Sequence, residues 1–381
     1  MIRRIERDEA LARLRVAATA LGERHVTFME VCGTHTVSAF RSGLHSLMPD
    51  NVRLLSGPGC PVCVTSQSDV DRLISLASLP GVVLCTYGDM IRVVGSNGSL
   101  QDARAAGADV RVVYSALDAV DLAAKLADES PRRQVVFAAV GFETTAPATA
   151  VAIREASRRG LDNFCAFASH KRVMPAMHAL LDSGELRVDG FLLPGHVGVI
   201  TGSREFEPIV DRYQLPCVVS GFEGEQIAAS LALLAELCVT GEAKLVNLYP
   251  QAVGFGGNAV ARSIIDEVFE PCTADWRGLA IVPASGLRIR EQFAKHDASR
   301  RFEVDHIVAE EPRGCRCGDV ITGRCSPADC KLFGTACTPV QPIGPCMVSS
   351  EGTCAAWFKY KRGSASPTRH RTSWPVAGGV A

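Results

Sequence analysis

Residues 26–48 read "VTFMEVCGTHTVSAFRSGLHSLM". The first six residues are apolar and rich in strand formers. A polar turn, "CGTHT", follows, and then a helix-like stretch. A short buried run closed by a Gly-bearing turn and followed by helical periodicity is the unit of a parallel sheet with helices on its faces. The unit recurs on the C-terminal side. "VRLL" (52–55) leads into "SGPGCPVCVTSQ" and the helix-forming "SDVDRLISLAS", and "GVVLCTYG" and "DVRVVY" read as further buried strands. The scheme restarts at "QVVFAAV" (134–140), which leads to "GFETTAP" and a helix. "NFCAFA", "VDGFLLPGHVGVITG" and "LPCVVSGFEGEQIAASLALLAELC" complete it. Gly-Phe-Glu occurs at 141–143 and again at 221–223, a weak repeat.

The fold class expected is α/β: two similar Rossmann-like parallel-sheet domains plus a smaller Cys-rich domain. The boundaries follow from the restart at "ADESPRRQ" and from a change of character near residue 243. They give an N-terminal helix over 1–24 packing on the C-terminal domain. A first α/β domain over 25–128 carries the CGTH and GPGCPVC loops, and a second over 129–242 carries the GFE and PGH loops. A Cys-rich domain spans 243–362, in which "GLAIVPASGLRI" adds one more strand, and 363–381 is a disordered tail. In such sheets ligand-facing loops lie at the carboxyl ends of strands, where "CGTHT", "GPGCPVC", "GFETTAP" and "PGHVGVITG" all fall.

A chain of 381 residues with 47% hydrophobic and 21% charged residues is an ordinary multi-domain globular protein. Its net charge of −1 gives no electrostatic footprint for nucleic acid or an anionic membrane. No apolar run approaches the roughly 20 residues that span a bilayer. The charged N-terminus lacks a signal-peptide core, so a cytoplasmic location is expected. There the fifteen cysteines point to metal or redox work more than to structural disulfides.

Seven of those cysteines fall in "CRCGDVITGRCSPADCKLFGTACTPVQPIGPCMVSSEGTC", 315–354. Gly and Pro between them supply backbone free to wrap a cluster. Zinc sites favour two short Cys-x2–4-Cys knuckles, whereas six residues separate Cys330 from Cys337 and eight separate Cys337 from Cys346. Iron–sulfur therefore leads, with zinc and a disulfide-stapled module as alternatives. Nearer the N-terminus, Cys32 with His35 and Cys60 with Cys63 each precede a predicted helix, where the helix dipole favours a thiolate. These four residues read as a soft-metal or nucleophilic thiolate beside an oxidisable dithiol, as a Cys3His zinc site, or as buried small cysteines. Gly57 and Gly59 suit either an unusual loop backbone near a ligand or an ordinary turn. Glu143 is an acid/base candidate, with helix capping as its plainer reading. His196, His170 and Lys171 are weaker candidates. Cys85, Cys165, Cys217, Cys238 and Cys272 read as buried and inert. "GFGGNAVA" (254–261) lacks the residues of a phosphate loop.

Together, "FMEVCGTHT", "SGPGCPVCVT", "TYGDMIRV", "GFETTAP", "PGHVGVITG" and the Cys-rich segment resemble the HypD family of nickel–iron hydrogenase maturation factors, over nearly the whole chain except the tail. The resemblance implies a redox-capable assembly scaffold more than a conventional turnover enzyme. It implies partnership with a HypC-like chaperone, on which an Fe(CN)2CO iron unit is assembled, with cyanide delivered by a HypE-like donor working with HypF. It implies a 4Fe–4S cluster, assigned to Cys315, Cys330, Cys337 and Cys354, with Cys317 and Cys346 left as a possible pair. It implies that Cys32 ligates the assembling iron with His35 beside it, and that Cys60 and Cys63 form a redox pair. Glu143 and His196 are implied to line the cleft. Gly198 stands where the family pattern implies a hydroxyl residue. The chemistry is consistent: a soft thiolate suits a low-spin iron carrying cyanide and carbonyl. Two other readings are an iron–sulfur thiol–disulfide reductase and a zinc-stabilised binding module.

Overall fold

The computed structural model describes residues 6–130, 132–303 and 309–361. The strands that build its sheets are, in chain order, β1 (Val26–Glu30), β2 (Val52–Ser56), β3 (Val82–Thr86), β4 (Asp109–Val112), β5 (Gln134–Gly141), β6 (Phe164–His170), β7 (Gly190–Pro194), β8 (Cys217–Ser220), β9 (Leu245–Asn247), β10 (Phe269–Trp276) and β11 (Ala280–Ile289). Two parallel sheets result. The first has the order β9-β8-β7-β1-β2 and the second β4-β3-β5-β6. β10 and β11 form an antiparallel ribbon with an irregularity between Cys272 and Ala274. The expected α/β class with two parallel sheets and a Cys-rich C-terminal region is what the chain adopts. Phe28, Met29, Phe137, Phe167 and Phe191 are buried, as strands covered by helices on both faces require.

The division of the chain differs from the expected one. The first sheet takes β1 and β2 from the N-terminal part and β7, β8 and β9 from residues 190–247, while the second sheet is inserted between them. The boundary expected near 125–132 falls inside the second sheet, between β4 and β5. The reason is pairing. Phe28 of β1 sits opposite Gly190 of β7 while β1 also pairs with β2, so the restart in the sequence marks a continuation of the second sheet. Residues 243–303 also do not belong to the Cys-rich unit. β9 is an edge of the first sheet, the helix Ala259–Val268 packs on the helix Ala146–Arg158, and the β10–β11 ribbon packs on β6 and the helix Val173–Asp182. The cysteine module proper lies within 309–361.

The N-terminal helix, Arg7–Ala20, expected on the C-terminal domain, has as its main packing partner among the described residues the helix Gly224–Thr240 of the first sheet. Ala10, Leu11, Leu14, Ala17 and Ala18 supply its buried stripe, and Arg13 makes a two-pronged bond to Glu236 at 2.9 and 2.7 Å. Among the described residues no helix is long and apolar enough to cross a membrane. The expected tail at 363–381 lies outside the described residues.

Candidate functional site

All strands of the first sheet run parallel, so their carboxyl ends share one edge. β1 leads into Cys32, β2 into the Gly57–Cys63 loop, β7 into His196 and β8 into Phe222. The chain leaves β1 towards β2 on one side, and β7, β8 and β9 extend the sheet on the other. The order therefore reverses between β1 and β7, and the crevice at such a reversal is where open α/β sheets hold ligands. Cys32 and His196 flank it. The Cys32 Sγ lies 3.7 Å from His196 Nδ1 and 4.0 Å from Nε2.

Cys32 sits just before the helix Gly33–Arg41 in extended conformation. Its N–H donates to Glu30 Oε2 at 2.8 Å, and the hydroxyl of Thr36 donates to Glu30 Oε1. Glu30 is 1% exposed, and burial raises its pKa to about 7. The thiol is not the thiolate that its helix position predicts. Burial first, and then the Glu30 charge, push its pKa well above the usual range, outweighing the His35 amide and the Thr34 side chain. Cys32 is thus held as the protonated thiol. His196 stays neutral, its pKa lowered to about 4 by burial.

Among the described residues the His35 side chain makes no hydrogen bond to the thiol. Its Nε2 lies 3.0 Å from the Gly221 carbonyl and its ring stacks on Phe222 at 4.9 Å. The same Phe222 packs against His196 at 5.1 Å. The second Gly-Phe-Glu thus braces both histidines, a role its sequence did not signal. Burial, and then His196, lower the His35 pKa to about 3. Gly198 packs against Val253, a Cβ there lying 3.0 Å from Val253 Cγ1, so the site has little room for the hydroxyl residue the family pattern implies.

Cys60 and Cys63 are at disulfide-bonding distance. Cys60 precedes the one-turn helix Pro61–Val64, and its sulfur accepts the Cys63 N–H at 3.2 Å. Gly57 and Gly59 have no positive φ, so the unusual backbone expected of them is not what selects glycine. Close approach is. A Cβ on Gly59 would overlap Val31 and Cys32 backbone, and one on Gly57 would press on the Glu30 carbonyl at 2.7 Å. The Gly33 N–H donates to the Gly59 carbonyl at 3.1 Å. The dithiol loop therefore lies directly on the Cys32 turn. On its other side the helix Pro61–Val64 packs on β5 and on the helices Cys317–Ile321 and Pro345–Val348 of the cysteine module.

In that module Cys315, Cys317, Cys330, Cys337, Cys346 and Cys354 line one cavity, walled by Val320, Leu332, Phe333 and Met347. Cys346 interacts with both Cys317 and Cys354. Cys325 lies near Arg316 and Asp319 and is not among the lining residues. Among the described residues no three His, Cys, Asp or Glu side chains converge to hold a single metal ion. An all-thiol donor set that exceeds four and is wrapped by Gly and Pro nonetheless suits an iron–sulfur cluster. Between Cys346 and Cys354, Glu351 accepts the Thr34 hydroxyl at 2.6 Å, two residues past Cys32. This contact was not legible from the sequence.

Glu143 belongs to the second sheet, at the end of β5. Its Oε1 accepts the Val173 N–H at 2.9 Å at the start of a helix, the plainer reading. It has no hydrogen bond to Cys32, Cys60 or Cys63 among the described residues. Burial raises its pKa to about 7, and its Oε2 is buried without a partner. His170 faces Thr149 at 3.2 Å, and Lys171 is paired with Asp69 at 3.3 Å. Of the cysteines expected to be buried, Cys85, Cys165, Cys217 and Cys238 are, and Cys272 is half-buried.

A profile of the family described as HypD, "Hydrogenase formation hypA family", matches residues 8–361. The chain belongs to the HypD family. It is 46% identical over 366 residues to the hydrogenase maturation factor HypD of Azotobacter vinelandii, covering 93% of this chain and 96% of that one. Over 355 residues it is 45% identical to HypD of Rhodobacter capsulatus, covering 92% and 93%. HypD of Escherichia coli (strain K12) is 41% identical over 344 residues, covering 89% and 90%. This HypD-family chain is a hydrogenase maturation factor.

Proposed function

We propose that this HypD-family protein is a scaffold on which the Fe(CN)2CO unit of a nickel–iron hydrogenase is assembled, together with a HypC-like chaperone and with cyanide from a HypE-like donor acting with HypF. The observation that carries the reading is the Cys32 thiol against His196 at the strand-order reversal, with the dithiol loop packed on its backbone. Iron is the cargo. As it engages Cys32 Sγ, the thiol proton passes to neutral His196 Nδ1 and on to solvent, while Glu30 holds the Cys32 amide in place. The Cys60–Cys63 disulfide takes up two protons from solvent and two electrons, delivered one at a time by an external low-potential one-electron donor, to become a dithiol beside that site. A 4Fe–4S cluster held by four of the six cavity thiols, with Cys315, Cys330, Cys337 and Cys354 the assignment, would supply one-electron transfer. Cys317 and Cys346, which touch, are the thiols left over. Thirteen free cysteines among the described residues suit a reducing cytoplasm.

The bonded Cys60–Cys63 pair beside a thiol-lined cavity also favours a second reading, an iron–sulfur disulfide reductase. Infrared spectra of protein purified without oxygen, with its HypC-like partner, separate the two. Cyanide and carbonyl stretches lost in Cys32→Ala are expected. Bands that persist in Cys32→Ala refute Cys32 as the ligand. Their absence from wild type with an intact partner and cluster favours the reductase.

A further inference from the structure

The tip of the β10–β11 ribbon is wedged between the dithiol helix and the cysteine module. Thr65 bridges to Trp276, and Gly278, at φ +79°, lies so close to Gly318 that a Cβ would meet its carbonyl oxygen at 2.6 Å. Between these contacts stands Arg277, only 2% exposed. Its backbone N–H donates to the Val64 carbonyl at 3.0 Å and its Nε to the Thr65 carbonyl at 3.2 Å. Its Nη2 donates to Gln67 Oε1 at 3.0 Å, and its Nη1 faces Glu311 at 3.8 Å. The last carbonyls of a helix have no partners within it, and Arg277 supplies donors to those of Val64 and Thr65, the latter from 212 residues away in the chain.

We infer that Arg277 is a positioning residue for the Cys60–Cys63 couple, clamping the two residues after Cys63 so that the two sulfurs stay within bonding reach in both redox states. A clamp of this kind removes conformational freedom that the reduced turn would otherwise gain. It therefore raises the effective concentration of one thiol at the other and favours the disulfide. Lysine keeps the charge but cannot reach both the Thr65 carbonyl and Gln67 with a planar fork.

The inference rests on the pair being a redox couple, and the experiment separates the two claims. Anaerobic full-length protein is equilibrated in buffers of reduced and oxidised dithiothreitol. The reaction exchanges one disulfide for two thiols on each side, and alkylation with mass analysis of the peptide spanning Cys60 and Cys63 reads the ratio. Arg277→Met and Arg277→Lys are expected to shift the equilibrium about tenfold towards the dithiol, about 30 mV for a two-electron couple. Gln67→Met, which removes one prong of the clamp together with the Gln67 Nε2 bond to the Val94 carbonyl at 3.2 Å, is expected to shift it in the same direction by less. Far-ultraviolet circular dichroism checks that each variant is folded, and Gln67→Met decides the matter if the Arg277 variants are not. Wild-type midpoints in the folded variants, or a shift confined to Arg277→Met, would overturn positioning; the latter points to charge alone. A wild-type pair that stays fixed in one state across the whole range overturns the couple itself, and the inference with it.

Discussion

Gly59→Ala tests whether the dithiol loop and the Cys32 turn are pressed together as the structure shows. The added methyl would overlap Cys32 N and Cα and the Val31 carbonyl carbon. All are backbone atoms, so no side chain can rotate aside, and one of the two loops must move. Overpacking typically costs 1–3 kcal/mol, and a backbone clash belongs at the upper end. Movement also threatens the Gly33 N–H to Gly59 carbonyl bond at 3.1 Å, worth about 1 kcal/mol. Alanine restricts the unfolded chain and returns about 0.4–1 kcal/mol, because Gly59 has no positive φ that would forbid it. The net expectation is a loss of about 3 kcal/mol. Gly254→Ala is the control: a Cβ there meets nothing within 4 Å and φ is not positive, so only the unfolded-chain term acts and a gain of about 0.4–1 kcal/mol is expected. Urea denaturation followed by tryptophan fluorescence compares the two, since Trp276 is buried beside Thr65. A Gly59→Ala protein as stable as the Gly254→Ala control would refute the close approach.

Two further outcomes follow from burial. Glu143 has its pKa raised to about 7, so the folded protein keeps a proton that the unfolded chain releases from about pH 4.5 upwards. Its contribution is full below that pH and is lost as pH rises through 7, on the order of 3 kcal/mol; Glu30 acts in the same direction. Urea midpoints at pH 5 and pH 7.5 should therefore lie closer together in Glu143→Gln than in wild type, and an unchanged gap would count against a buried, protonated Glu143. Leu14→Ala truncates a side chain that is 0% exposed on the N-terminal helix. It should cost about 2–5 kcal/mol in the same assay, and a loss below 1 kcal/mol would mean that this helix is not docked on Gly224–Thr240.

Local signals carried much of the architecture. Apolar runs closed by Gly-rich turns located most of the strands, and the odd loops do sit at strand ends. Which strands pair was not legible, because β1 is compatible with any parallel neighbour. Only the long-range partnership of Phe28 with Gly190 interleaves the sheets. The same ignorance of pairing hid the fact that Cys32, His35, Cys60, Cys63 and His196 share one sheet edge while Glu143 belongs to the other sheet. Helix position suggested a Cys32 thiolate. Complete burial reversed that, and burial is a property of the packed chain. Phe222, Glu351 and Arg277 escaped notice because an aromatic, a carboxylate and a guanidinium are unremarkable until their neighbours are known.

The interleaving also sets an order of events during synthesis. Cys32 is made early, but its partner His196 arrives 164 residues later, and the strand beside β1 is β7, which must be translated before the crevice has a second wall. Closing so long a loop is slow, because its entropy is lost before the contact rewards it. A nascent chain therefore carries the Cys32 thiol long before it carries the second wall of the crevice, and a ligand has nowhere to settle until the first sheet is closed. Occupation of the crevice is thereby confined to finished molecules, a form of quality control written into strand order alone.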